Sequence, residues 1–279
     1  MRPALAPLLL AGAVATACLP PEWGANAILH PTRRPLVADI DLPHRDVSFL
    51  SDGLRLRGWL FATHRPRTGL IVYLHGVADN RGSGLGLARR FASEGYDVLA
   101  YDSRAHGESE GQDCTYGFYE KRDLARALDA VNADGAILFG VSLGAAVALQ
   151  ATPEEPRVRG VIALSAFSDL DVVIRERAPW IASGTDVDKA LALAERRGNF
   201  QLAEVSPRKV AARIHVPVLL IHGREDRETP AAHSQRIYDA LAGPRRLLLV
   251  PGAGHNDVLS GADVWREIDT WLAGLTVSR

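Results

Sequence analysis

The sequence Phe139-Gly140-Val141-Ser142-Leu143-Gly144 joins two segments of different character. Residues 136–139 form a short apolar run, which is typical of a central parallel strand. Residues 143–150 are rich in small side chains and predict a helix. We therefore expect a buried strand, a very tight turn and a helix, with Ser142 at the turn.

The spacing Gly140-x-Ser142-x-Gly144 matches the nucleophile-elbow pattern, in which a serine at a strained strand-to-helix corner exposes its hydroxyl. A side chain at either glycine is expected to collide with a neighbouring strand or helix. The helix N-terminus would present free N–H groups, among them that of Leu143, to a developing oxyanion. The pentapeptide alone also fits an ordinary turn with a capping serine, so its interpretation depends on the residues near it.

Length and composition allow one or two globular domains and argue against a nucleic-acid partner, and α/β folds commonly use 250 residues for one core. The chain has 279 residues, of which 47% are hydrophobic, which is ample for a buried core. Its 32 Lys and Arg nearly balance 33 Asp and Glu, and no long run of one sign appears. This balance argues against a nucleic-acid surface or a polybasic membrane surface.

Residues 1–17 are predicted to be a signal peptide. Arg2 gives a positive start, residues 8–17 are apolar but too short for a membrane span, and Ala17 precedes Cys18. This end resembles a bacterial lipoprotein box with Cys18 as the lipid anchor, although ordinary signal peptidase would cut the same bond. An uncleaved apolar tail is the remaining alternative. We expect an exported protein, in the bacterial periplasm or anchored to a membrane as a lipoprotein.

The second cysteine, Cys114, is expected to be an inert loop thiol if Cys18 is lipidated; otherwise a Cys18–Cys114 disulfide stays open. No spacing of cysteines and histidines is typical of a metal site, so we expect neither a metal nor a cofactor. Residues 18–44 contain five prolines without periodicity and predict an extended tether.

Residues 45–279 are predicted to form the folded domain. Two strands flank Ser51-Asp52-Gly53, a hairpin signal, and begin the sheet with an antiparallel edge. Continuous apolar runs separated by helical patterns then indicate a parallel sheet covered on both faces. The expected fold class is α/β: a mostly parallel, twisted sheet of about eight strands with helices on both faces.

Polar residues follow three of the predicted parallel strands. His75-Gly76-Val77 follows one, Asp226 lies just after another, and His255 follows the last. Because ligands bind at the carboxyl ends of parallel strands, these residues and Ser142 are expected on one rim. The chain order Ser142, Asp226, His255 is that of the triad associated with the nucleophile elbow.

These motifs together resemble the α/β-hydrolase superfamily, from about residue 46 to 273. The resemblance rests on five segments: residues 74–76, 102–109, 140–144, 222–226 and 252–255. In detail the chain is similar to small serine hydrolases related to acyl-protein and acylglycerol hydrolases. Such a resemblance implies hydrolysis of a small-molecule ester.

The resemblance also implies roles for individual residues. Ser142 would be the nucleophile, His255 its base and Asp226 the group that orients the imidazole. The N–H groups of Val77 and Leu143 would form the oxyanion hole, Val77 being assigned from the family position after His-Gly. Asp169, which follows the apolar run of residues 161–164, is a rival for the acid, since some relatives place the catalytic acid there.

The substrate site is expected to include His75 and Gly76, with His75 mainly organising its loop. Residues 168–207 depart from the strand–helix rhythm and predict a short helical cap. Within it, five residues are candidates to line an apolar slot: Trp180, Ile181, Leu191, Leu193 and Phe200. We take Trp180 as the cap's substrate-binding residue and expect a modest apolar acyl site.

Two other functions stay open. A peptidase or amidase of the same fold would need a site for a free amine, for which Glu108-Ser109-Glu110 is the candidate. A non-catalytic surface protein would have no use for the serine, histidine and aspartate together.

Overall fold

Within residues 20–37 and 40–277, which the computed structural model describes, eight strands form one sheet. They are β1 (Arg45–Ser51), β2 (Leu54–Phe61), β3 (Gly69–Leu74), β4 (Tyr96–Tyr101), β5 (Ala136–Val141), β6 (Val158–Leu164), β7 (Val218–Gly223) and β8 (Arg245–Val250). The strand order is β1-β2-β4-β3-β5-β6-β7-β8. β2 pairs antiparallel with β1 and β4, and every other pairing is parallel. The predicted mostly parallel α/β sheet is confirmed.

The antiparallel edge is a tight hairpin. Ser51 pairs with Leu54, and the two residues between them, Asp52 and Gly53, have φ of 48° and 80°. Two successive residues with positive φ are the geometry of a type I′ turn, whose twist matches that of the flanking strands. The glycine adopts this conformation without the steric cost that a side chain would add.

Helices cover both faces of the sheet. They are α1 (Pro21–Leu29), α2 (Leu85–Ser93), α3 (Glu120–Ala130), α4 (Leu143–Ala151), α5 (Leu170–Arg177), α6 (Gly184–Gly198), α7 (Pro207–Ala211), α8 (Ala232–Ala240) and α9 (Ala262–Val277). One hydrophobic core contains residues of α3, α4, α7 and α8, and the core on the other face contains residues of α2 and α9.

Strand β3 shows why the sheet is buried on both sides. Leu70, Val72 and Leu74 belong to the first core, whereas Ile71 and Tyr73 belong to the second. All five are buried. Since successive side chains of a strand point to opposite faces, a continuous apolar run is what a doubly covered strand requires.

The expectation of an extended tether over residues 18–44 is wrong for its first part. Residues 21–29 form helix α1, with Pro21 at a position where a proline favours helix initiation. Ala25, Ile28 and Leu29 are buried against α6 and the loop before α3. The spacing i, i+3, i+4 places the three on one face, so α1 is part of the folded domain.

Hydrogen bonds fix α1 and the chain that follows it to the domain. The Leu29 carbonyl accepts the N–H of Cys114 at 2.8 Å, and the Ile28 carbonyl accepts the hydroxyl of Tyr116 at 3.0 Å. The guanidinium of Arg33 donates to four carbonyls in the loop after β4, those of His106, Gly107, Ser109 and Gly111. The partners of Arg33 lie 73 to 78 residues away in the sequence, so these contacts join distant parts of the chain.

The segment predicted as a cap contains α5 and α6, which lie between β6 and β7 in the chain. Helix α6 begins with a capping box, in which the Ser183 hydroxyl accepts the N–H of Asp186 and the Asp186 carboxylate accepts the N–H of Ser183. Buried residues of α1, α5 and α6 form a third, smaller core.

The predicted signal peptide and Cys18 lie outside the described residues. Among the helices that the structure does describe, none has the length and apolar character needed to cross a membrane.

Candidate active site

Ser142 lies at the corner between β5 and α4. Its φ of 50° and ψ of −108° are unusual for a residue with a side chain, and such strain costs on the order of 1–3 kcal/mol. The N–H of Ser142 donates to the Leu164 carbonyl at 2.8 Å and its carbonyl accepts the N–H of Ala146, which holds the corner between β6 and α4.

The two glycines of the motif are required by close packing. A Cβ at Gly140 would lie 2.4 Å from the Gly144 carbonyl oxygen, and a Cβ at Gly144 would lie 2.0 Å from the Leu74 carbonyl oxygen. Both distances are far below van der Waals contact. Helix α4 therefore packs directly on its own entry turn and on β3, as the sequence predicts.

Ser142, His255 and Asp226 form a continuous line of hydrogen bonds. The Ser142 Oγ lies 3.0 Å from His255 Nε2, and His255 Nδ1 lies 2.7 Å from Asp226 Oδ2. Because Nδ1 faces a carboxylate, it carries the ring proton, which leaves Nε2 free to accept the serine hydroxyl. The three residues follow β5, β8 and β7, so the sheet brings them to one edge from widely separated positions.

The surroundings of Asp226 keep it ionised. Burial raises its pKa, but hydrogen bonds from His222 and His255 and from the backbone N–H of Thr229 lower it more. The net result is an Asp226 pKa well below the ordinary range of an aspartate. Its Oδ1 accepts the N–H groups of Glu228 and Thr229 at 2.9 Å and 2.8 Å, so the carboxylate is also fixed in orientation.

His222 is a site residue that the sequence analysis left without a role. It is fully buried at the end of β7, and its Nε2 lies 2.7 Å from the Thr229 carbonyl and 3.1 Å from Asp226 Oδ2. Its Nδ1 lies 2.6 Å from the Ser234 hydroxyl. Since Nε2 faces two acceptors, it carries the proton, and Nδ1 accepts from the serine. The signal available in the sequence was its position four residues before Asp226 at a strand end.

Asp169, the rival acid, lies elsewhere. Its carboxylate accepts hydrogen bonds from the Ser206 hydroxyl at 2.6 Å and from the Arg208 guanidinium at 3.0 Å. Burial raises the Asp169 pKa, and these partners lower it to a net value below the ordinary one. Asp169 thus ties the start of α5 to the region of α7, and Asp226 is the carboxylate that contacts His255.

A cavity of about 550 Å³ opens beside Ser142. Val77 and Leu143, whose N–H groups were predicted to bind an oxyanion, both line it next to the serine. Most of the remaining wall is apolar, and much of it comes from α5, α6 and the segment 20–32. Such a volume and lining are typical of a small-molecule site.

Helix α1 contributes a wall that the sequence analysis did not predict. Trp23, Gly24, Ala27 and Ile28 of this helix line the cavity. A Cβ at Gly24 would lie 2.7 Å from Ala190 Cβ, so this glycine allows α1 and α6 to approach closely. The available signals were Pro21 and the apolar spacing of residues 25, 28 and 29.

The structure does not place His75 or Trp180 in the wall of the cavity, where their substrate contacts were predicted. His75 is fully buried, its Nδ1–H donates to the Gly76 carbonyl at 2.7 Å and its Nε2 accepts the N–H of Ser103 at 3.0 Å. It therefore organises its loop. Gly76 lies against the elbow, where an added Cβ would be 3.8 Å from Ser142 Cβ, but it does not line the cavity. Trp180 is 94% exposed and also does not line the cavity.

The other apolar residues proposed for the slot have different positions. Leu191 and Phe200 are buried in the third core, and Leu193 packs against it. Leu191 and Leu193 belong to α6, and an amphipathic helix buries its apolar stripe against neighbouring elements. Residues of α5, including Val173 and Ile174, line the cavity in their place.

Comparison with known proteins shows the family to which the chain belongs. The family model described as the alpha/beta hydrolase fold matches residues 69–209. The protein YfhR of Escherichia coli is 30% identical over 238 residues, which cover 80% of this chain and 78% of that protein. The protein YqkD of Bacillus subtilis is 33% identical over 214 residues, covering 73% and 70%. The chain belongs to the α/β-hydrolase family.

A solved structure with the same fold is that of the Pyrococcus furiosus esterase Pf2001. It matches with a TM-score of 0.69 and 21% identity over 88% of this chain and 96% of that one. At this identity the similarity establishes the fold alone. The family and the fold identify the chain as a hydrolase.

Proposed function

We propose that this protein hydrolyses carboxylic esters through an acyl-enzyme formed on Ser142. The observation that carries the proposal is the hydrogen-bonded line from the Ser142 hydroxyl through His255 to Asp226, beside an apolar cavity. A serine hydroxyl is a weak nucleophile at neutral pH, and an imidazole at 3.0 Å is the base that activates it.

In the first half of the reaction, Ser142 Oγ attacks the ester carbonyl carbon while His255 Nε2 takes the hydroxyl proton. The negative charge that develops on the carbonyl oxygen would be bound by the N–H groups of Leu143 and Val77. One such donor is worth about 10²–10³ in rate. The ester C–O bond then breaks, His255 returns the proton to the leaving alcohol, and the acyl group remains on Ser142.

In the second half, water attacks the acyl carbon and His255 accepts one of its protons. The bond to Ser142 Oγ breaks, the proton passes to Oγ, and the carboxylic acid leaves. Throughout, Asp226 would hold the Nδ1–H tautomer of His255 and stabilise its cation. The depressed pKa of Asp226 suits this role, since the group stays a carboxylate at neutral pH.

The shape of the cavity favours an ester with an apolar acyl chain. About 550 Å³ of mainly apolar space adjoins the serine, with walls from α1, α5 and α6. Burying apolar surface contributes about 25 cal/mol per Å² to binding. A small-molecule ester whose acyl chain enters this space is the substrate class we infer.

The peptidase alternative is less well supported. It would need free carboxylates to bind a substrate amine, and Glu108 and Glu110 are already engaged. Glu108 pairs with Arg81, and Glu110 accepts the N–H of Arg55 at 2.8 Å. Neither residue lines the cavity beside Ser142.

The proposal is tested with p-nitrophenyl esters from acetyl to palmitoyl, and with matching p-nitroanilides for amide cleavage. We expect turnover of esters that is lost in Ser142→Ala and in Asp226→Asn but retained in Asp169→Asn, the matched acid outside the site. Turnover of the anilides alone would favour the peptidase. Ester turnover that survives in Ser142→Ala would overturn the assignment of the nucleophile.

We further propose, from the sequence of residues 1–18 alone, that the protein is exported and that Cys18 carries a lipid. Labelled fatty acid incorporated into the wild type and absent from Cys18→Ala would support the anchor; equal labelling of both would contradict it.

A further inference from the structure

The turn between α5 and α6 has a composition that folding does not explain. The N–H of Ala182 donates to the Pro179 carbonyl at 2.8 Å, which closes a turn with Trp180 and Ile181 at its two central positions. Turn centres are normally glycine, asparagine, aspartate or serine. Here they are two large apolar side chains, 94% and 54% exposed.

The same turn borders the opening of the cavity. Pro179 and Ala182, on either side of the exposed pair, both line the cavity. Trp23 of α1 lines it as well and is 60% exposed. Three of the five large exposed apolar side chains in the described residues therefore lie at one rim. We call Trp23, Trp180 and Ile181 the apolar rim.

The course of the chain indicates what covers the apolar rim. Pro20 lines the cavity, and only Leu19 separates it from Cys18, the proposed lipid anchor. A lipid attached at Cys18 would therefore keep the apolar rim beside a bilayer.

The chemistry of the side chains fits the same surface. Tryptophan favours the boundary between lipid and water, because its ring is apolar and its indole N–H is polar. Two of the three residues are tryptophans, and they come from separate elements, α1 and the turn after α5.

We propose that the apolar rim binds a phospholipid bilayer and turns the opening of the cavity toward it. Trp180 and Ile181 enter the interface from the turn, and Trp23 enters it from α1. The contact is made by the rim itself and does not require the lipid on Cys18. One consequence, which rests on the proposed hydrolase activity, is that amphiphilic esters reach Ser142 from the bilayer.

The test places a fluorophore at the rim of the full chain and at a matched site away from it. Ile181→Cys and Leu50→Cys are each made with Cys18→Ser and labelled with a polarity-sensitive dye. Cys114 is fully buried and so is protected from labelling. Leu50 is a suitable control because it is 58% exposed on edge strand β1 and does not line the cavity.

With vesicles of equal amounts of phosphatidylethanolamine and phosphatidylglycerol, we expect a blue shift and brighter emission at position 181 and neither at position 50. An equal response at both positions, or none at 181, would overturn the proposal. A blue shift at 181 that grows with protein concentration in the absence of vesicles would show a second copy of the chain on the rim and would also overturn it.

Adding Ser142→Ala to the Ile181→Cys chain should leave the response to vesicles intact, because lipid contact needs no turnover. Failure of the lipid proposal is thereby separated from failure of the proposed esterase activity.

Discussion

Asp226 Oδ2 lies within hydrogen-bond distance of two imidazoles, His255 at 2.7 Å and His222 at 3.1 Å. Only His255 contacts Ser142; His222 is instead fixed by Ser234 and the Thr229 carbonyl. His222 therefore acts as a positioning residue, which fixes the carboxylate that in turn orients the imidazole of His255.

Replacing His222 with asparagine should lower kcat/KM for a p-nitrophenyl ester by roughly tenfold, because a hydrogen bond to a charged group contributes about 1.5 kcal/mol or more. It should also raise the pKa of Asp226, since His222 is the strongest of the partners that lower it. The loss should fall on kcat, because a carboxylate that is held less firmly orients the imidazole of His255 less well.

The matched control is His215→Asn, which changes an exposed histidine in the turn before β7. It should leave kcat/KM as in the wild type. If His222→Asn kept the wild-type kcat/KM, its hydrogen bond to Asp226 would have no part in the reaction.

At the scale of elements, α1 is both a wall of the cavity and the part of the fold that local sequence predicts least. A nine-residue helix is too short to be stable alone in water. Its stability comes from packing on α6 and from hydrogen bonds to Cys114 and Tyr116, none of which is visible in residues 18–44. Taken alone, the prolines of residues 18–44 predict an extended chain, and the tertiary contacts of α1 override that local tendency.

A bulky residue on the cavity side of α1 should change acyl-chain preference. Ala27 lines the cavity, so Ala27→Phe fills space that a long acyl chain would occupy. We expect activity on palmitoyl and other long-chain esters to fall while acetyl and butyryl esters are cleaved at close to the wild-type rate, as measured across the p-nitrophenyl series.

Glu22→Phe is the control, since Glu22 is exposed on the same helix but does not line the cavity. A similar loss across all chain lengths in Ala27→Phe, or the same change in the control, would contradict a role for α1 as the wall of the acyl site.

Unlike α1, the strands and the elbow could be predicted, because their sequence patterns are local. Buried parallel strands are continuous apolar runs, so local sequence alone predicts β3, β5, β6 and β7. Ser142, Asp226 and His255 could be predicted as neighbours because each comes just after one of the predicted parallel strands. Trp180 was misplaced because sequence spacing does not say which side of a turn faces a cavity, and His222 was missed because its partners meet only in the folded chain.

At the scale of the whole molecule, three buried histidines make stability depend on pH. Burial lowers the pKa of His75 and of His233, in each case outweighing the interactions that raise it. Burial, followed by the neighbouring His75, lowers the pKa of His106 to about 3. The unfolded chain binds protons at these sites near the ordinary histidine pKa of about 6.5, whereas the folded chain does not.

The folded state should therefore lose stability as pH falls below about 6.5, by up to about 1.4 kcal/mol per pH unit for each histidine. Urea unfolding between pH 7 and pH 5 should show a falling midpoint. His106→Asn keeps a side-chain N–H for the Arg104 carbonyl but cannot titrate, so its midpoint should fall less steeply. Equal slopes in the two proteins would show that His106 is already protonated in the fold.

The most direct measurement of the chemistry is the mass of the protein during turnover. After brief mixing with p-nitrophenyl butyrate and an acid quench, we expect a fraction of the wild type to gain the mass of one butyryl group. Peptide mapping should place that group on the segment containing Ser142, and Ser142→Ala should show no such gain. Ester turnover with the acyl group on another residue, or an equal gain in Ser142→Ala, would contradict Ser142 as the nucleophile.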